Sequence, residues 1–103
     1  MNIKGSLPLL VLDALSKGSS YGYQIAKEIR EQSDAVLDFQ EGALYPTLHK
    51  MELEGLIEAT TTVVDGRRRR YYHLTPRGEG HLAAERHQWM QYVKAVNTVL
   101  GAM

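Results

Sequence analysis

Four consecutive arginines, Arg67, Arg68, Arg69 and Arg70, follow directly on the dipeptide Asp65-Gly66. Guanidinium groups this close repel one another unless anions lie between them. Their planar forks suit phosphate oxygens and narrow grooves, so the chemistry on offer is polyanion binding. A solvated edge strand that discourages aggregation would use the same residues; the density of the run on a projecting turn favours phosphate. A second set lies upstream. Tyr45, Thr47 and Lys50 fall outside a helical stripe of Leu44, Leu48 and Met51. Small and hydroxyl-bearing side chains let a helix enter a major groove, and Lys50 can take a phosphate or a guanine. Tyr45 would serve equally as a half-buried core aromatic. The third set is Tyr21-Gly22-Tyr23, which opens a helix whose N-terminus and tyrosine hydroxyls can hold a backbone phosphate. Both rings could instead pack on the core with their tips exposed.

Other chemistries find little support. The 103 residues contain no cysteine, which excludes disulfides, thiolate metal sites and cysteine nucleophiles. His81 and Glu85 are four apart on a helix, but no third ligand stands at recognisable spacing, so neither a metal nor a cofactor is expected. No serine elbow, phosphate-binding glycine loop or HExxH string occurs, and the reading is not an enzyme.

The elements that must position these residues can be read from spacing. Ser6 is expected to cap a first helix with Pro8 in its first turn. Ile3, Leu7, Leu10, Val11, Ala14 and Leu15 form one stripe, and Leu9 and Leu12 lie opposite, so this helix needs cover on both sides. Ser20 is expected to cap a second helix, Tyr21 to about Glu31, with Ile25, Ala26 and Ile29 inward. Residues 32–40 connect, anchored by Val36, Leu37 and Phe39. A third helix spans about Gly42 to Glu54, with Pro46 near its start. The period then becomes alternating. Ile57 to Val64 and Arg67 to Leu74 flank Asp65-Gly66, a strong two-residue hairpin signal. Thr75-Pro76 starts a last helix running to about Leu100. The fold class is mainly α with a two-stranded β-hairpin: a winged helix-turn-helix over residues 1–75 and one long C-terminal helix over residues 76–103.

Charge follows this division. Net charge is zero. Residues 1–56 hold five Lys/Arg and eight Asp/Glu, whereas residues 57–78 hold five Arg against Glu58 and Asp65. A neutral total thus conceals one concentrated basic element.

The last helix carries a heptad-like seam of Leu82, Trp89, Val93, Val96 and Leu100, widened by Met90 and Tyr92 and interrupted by Arg86. A helix of this kind appended to a small domain requires cover, and a two-fold partner supplies it. Leu7 and Leu10 of the first helix are expected on the same dimer interface, covering the seam across the axis. Trp89 would be a dimer-core residue or one wall of a ligand pocket. No segment is long enough to cross a membrane, and the N-terminal stretch reads as a mature helix, not a signal peptide. The expected compartment is the cytoplasm.

Three strings carry a resemblance: GSSYGYQI from Gly18, EGALYPTLHKMELEGLI from Glu41, and GRRRRYYHLTPRG from Gly66. Together with the tryptophan of the last helix, they make the chain resemble PadR-family transcriptional regulators over nearly its whole length, in the compact subgroup with a single C-terminal dimerisation helix. The resemblance implies a homodimeric winged-helix repressor of inverted-repeat operators. It implies DNA contacts at Tyr21, Tyr23, Tyr45, Thr47 and Lys50, and a wing, Arg67 to Arg70, on the minor groove or phosphates. It also implies a flat aromatic or phenolic effector, with Trp89 beside it. Ala43 departs from the family's frequent threonine. The alternative from another class is a winged-helix protein-interaction module, in which the helices bind a protein partner and the arginines receive its acidic patch.

Overall fold

The computed structural model describes residues 3–101. A 3-10 turn, Ile3–Ser6, runs directly into helix α1, Leu7–Ser16. Ser6 therefore has helical backbone angles and does not cap the helix as expected. The side chain of Ile3, counted in the first stripe, lies outside the described residues. A short strand β1, Ser20–Tyr21, leads into α2, Gly22–Gln32, and α3 spans Glu41–Leu53. Strands β2, Ile57–Val64, and β3, Arg67–Leu74, form the hairpin, and α4 spans Pro76–Leu100.

The sheet has three strands in the order β1-β3-β2, all antiparallel. This corrects two expectations. Ser20 is a strand residue paired with Tyr72, not a helix cap, and the wing's return strand gains a second neighbour through it. Two residues were too short a strand to show alternation. The hairpin itself closes as expected, with Val64 opposite Arg67 and positive φ at Asp65 (51°) and Gly66 (76°). Those angles match the right-handed twist of the strands.

Leu7, Val11, Leu12, Leu15, Ile25, Leu44, Leu48, Met51, Ile57 and Tyr72 make one core, and Leu82 of α4 belongs to it. Leu7 is 2% exposed and Leu82 6% exposed. Neither is available to a partner, contrary to their expected place on the dimer interface. Of the second greasy side of α1, Leu12 is buried and Leu9 half-buried within the same chain, because α1 packs against α4. Arg86 pairs with Asp13 across that contact. Leu10 is half-buried against the core. In the α2–α3 connection Phe39 is buried, whereas Val36 points to solvent. Pro46 sits inside α3 and supplies no N–H to the carbonyl of Gly42.

The junction from wing to α4 is tightly built. The Thr75 hydroxyl accepts from the Gly78 N–H at 3.0 Å and lies 2.6 Å from the carbonyl oxygen of Gly55, to which it donates. Gly78 packs on the chain between α3 and β2; a Cβ there would lie 2.0 Å from the carbonyl oxygen of Leu56. Only glycine permits this approach. Beyond its contacts with α1, which reach Arg86 and Trp89, the helix leaves the domain, and at about 1.5 Å per residue it gives the molecule its long dimension of 54 Å.

Candidate nucleic-acid interface

Helix α3 presents three sides. Leu44, Leu48 and Met51 are buried. Tyr45 and Glu52, seven residues apart, share one flank, while Thr47 and Lys50 share the other. Tyr45 is 44% exposed, and its ring rests on α2: a Cβ at Gly22 would come within 2.9 Å of it. The tyrosine thus packs one face on α2 and leaves the other exposed. The Thr47 hydroxyl donates to the Ala43 carbonyl at 2.9 Å, which leaves its lone pairs for an incoming donor. Lys50 is exposed, and with Thr47 it borders a groove that also involves Pro8, Leu9, His81 and Glu85. Pro46 and His49 are exposed on the outermost side. His49 did not figure among the expected contacts, although its place between the two flanks follows from helical geometry.

Helix α2 contributes Tyr23, 67% exposed, and with it Lys27 and Arg30. These three are spaced i, i+4, i+7 and line one side of a groove of about 450 Å³ whose other side is Gln40, Gly42 and Tyr45. That basic stripe lies outside the sequence expectations, although its helical period is a signal for it. Lys27 lies 3.9 Å from Glu31 and Arg30 4.0 Å from Asp38, both at the surface.

The arginine run is not uniform. Arg67 and Arg68, next to the hairpin tip, are exposed and have no partner among the described residues. The Arg69 guanidinium lies 4.5 Å above the ring of Tyr21, which in turn meets Tyr71 edge-on at 5.3 Å. Tyr21 is half-buried there, as a support for the wing. Arg70 Nη2 donates to Glu52 Oε2 at 2.7 Å and sits 5.9 Å over the Tyr72 ring. The hydrogen bond and charge of Glu52 hold the Arg70 guanidinium above its ordinary pKa. Burial pushes the Tyr72 phenol up, against the pull of Arg70.

A helix with an exposed polar side, a neighbouring basic stripe and a basic hairpin beside it form one surface suited to duplex DNA. The PadR-like family of transcriptional regulators matches residues 11–84. The chain belongs to this family. It is also similar to the transcriptional regulator Rv3488 of Mycobacterium tuberculosis, with 34% identity over 81% of this chain and 75% of that protein. A PadR family transcription regulator from Clostridium difficile superposes with a TM-score of 0.82 at 35% identity, covering 93% of this chain and 99% of that one. A transcriptional regulator from Clostridium thermocellum gives 0.87 at 31% identity, covering 93% and 94%. This PadR-like protein is thus a DNA-binding transcriptional regulator and not an enzyme. Among the described residues no group of three or more side chains could hold a metal ion; His81 and Glu85 simply pair with each other at 3.4 Å. No described helix is long and apolar enough to cross a membrane.

Proposed function

We propose that the protein is a homodimeric repressor that occupies an inverted-repeat operator and is released by a flat aromatic or phenolic effector. The observation that carries the dimer is the apolar stripe of α4. It begins at Leu82, inside the core, and continues on the same side of the helix through half-buried Trp89 and Val93 to Val96 and Leu100 beyond the domain. Val96 is 36% and Leu100 74% exposed, with Met90, Tyr92 and Val99 exposed beside them. Burying such a stripe against its own copy is the simplest remedy. Two reading helices then face one side of the dimer, for half-sites about one turn of DNA apart. Thr47, Lys50 and Tyr45 supply the contacts of α3, Tyr23 that of α2, and Arg67, Arg68 and Arg69 those of the wing, with Tyr21 supporting Arg69. Occupancy of a promoter suffices for repression, and the cytoplasm, where the chromosome is, is its place of work.

The effector reading rests on Trp89. With Tyr92, Gln88, Leu9 and Ser6 it lines an open groove of about 470 Å³ between α4 and the start of α1. The two rings are tilted, 6.1 Å apart. A planar molecule beside them would change how α4 meets its partner and hence the spacing of the reading helices. Sedimentation equilibrium at micromolar concentration is expected to give twice the chain mass, and a monomer would refute the dimer. Planar aromatic dyes are expected to quench Trp89 saturably, near one per dimer. A linear, unsaturable response would leave Trp89 as packing alone.

A further inference from the structure

We infer that Arg70 is a positioning residue rather than a phosphate ligand: its ion pair with Glu52 fixes the wing against the recognition helix, and Glu52 withholds that charge from DNA. This rests on the proposed reading of α3 and the wing as the DNA-binding surface. The sequence makes the four arginines look equivalent, but strand alternation and distance from the hairpin tip separate them: Arg68 shares the face of Arg70 but lies nearer the tip. Arg70 shares the face of Tyr72 and Leu74, which packs toward the core. There it meets Glu52, in the last turn of α3, at 2.7 Å, within the range of a strong charge-assisted hydrogen bond. The Glu52 side chain is only 24% exposed. Without Arg70 it would stand as an uncompensated carboxylate next to the phosphates.

The flank of α3 that carries Glu52 also carries Tyr45. Through Tyr45 the helix is seated on Gly22 of α2, and through Glu52 it is tied to β3. The opposite flank, with Thr47 and Lys50, and the outer side, with Pro46 and His49, are left for bases. A surface ion pair of this exposure adds little stability. Its consequence is geometric: the two parts of the interface are held at one angle before DNA arrives, which lowers the cost of ordering them on binding.

The test is a salt titration of full-length protein on its selected operator and on a random-sequence duplex. Each phosphate contact contributes about 0.9 to the slope of log affinity against log salt. Arg68→Ala serves as reference and is expected to lose about one from the slope. Arg70→Ala is expected to keep the wild-type slope while losing operator affinity about tenfold, with partial recovery in Arg70→Lys. Glu52→Gln is expected to release Arg70. The slope then steepens by about one, random-duplex binding gains severalfold, and the preference for the operator falls. Glu52→Gln/Arg70→Ala should return to the wild-type slope. A slope lowered by Arg70→Ala as much as by Arg68→Ala, and not restored in Glu52→Gln/Arg70→Ala, overturns the inference. So does a steepening by Glu52→Gln that persists without Arg70, or no steepening at all. If Arg68→Ala itself leaves the slope unchanged, the failure belongs to the wing reading.

Discussion

Two elements leave the same small core, the β2–β3 wing and the far half of α4, and they are finished in opposite ways. The wing carries its arginines into solvent and is braced from within the chain, Arg69 on Tyr21 and Arg70 on Glu52. Helix α4 carries Val96, Val99 and Leu100 outward, and its ion pair furthest along the helix back to the domain is Arg86 with Asp13. A charged projection is content in water and can await a polyanion. An apolar one is not, since each exposed aliphatic side chain forgoes about 1.5–3 kcal/mol of burial. The contrast is the basis of the proposed reading, in which the wing's partner comes and goes and the helix's partner is permanent.

The largest effect is expected where the two elements part. Gly78→Ala would drive a methyl group into the Leu56 carbonyl, a backbone atom that cannot swing aside. A loss of about 3 kcal/mol or more in chemical denaturation is expected, with wing and helix losing structure together. Next, Val93→Glu should separate the two regions. The domain is expected to keep its thermal midpoint within a few degrees, while sedimentation shows association weakened by at least about a hundredfold, some 3 kcal/mol. Operator binding falls with it. A dimer that survives this substitution would remove the seam from the interface.

Smaller effects sharpen the wing's side of the comparison. Arg68→Ala with Arg69→Ala should weaken binding to every duplex about equally and flatten the salt dependence by roughly one per lost contact, leaving the oligomer intact. Thr47→Ala or Lys50→Ala should instead change the preferred base, at about 1–3 kcal/mol per lost contact. The smallest change in stability is expected from Gly22→Ala. Its methyl group meets the Tyr45 ring at 2.9 Å, but that side chain is partly exposed and can yield. Stability should fall by less than about 1 kcal/mol, and the defect should appear in operator preference as α3 shifts on α2.

Most of this architecture was legible because local signals were strong. Thr75-Pro76 caps a helix, Asp65-Gly66 turns a hairpin, and Leu44, Leu48 and Met51 repeat on one side of α3. What escaped was non-local. Ser20 looks like a cap because serine often is one, and only its pairing with Tyr72, more than fifty residues on, makes it a strand residue. Leu7 and Leu82 belong to greasy stripes, and periodicity reveals a stripe without saying whether the chain itself or a second copy covers it. The exposed residues of α3 and the basic residues of the wing that are proposed to meet DNA were legible by type and spacing. The division of labour among the arginines was not, because it depends on Glu52 and Tyr21, which approach from other elements.

The central claim joins both regions: a permanent dimer through α4 that sets two DNA-reading surfaces one helical turn apart. Selection of bound sites from random duplex DNA tests it most directly. An inverted repeat whose half-sites are centred about 10 base pairs apart is expected, recovered by the wild type and lost with Val93→Glu. A single asymmetric half-site, enriched equally well by both proteins, would contradict it.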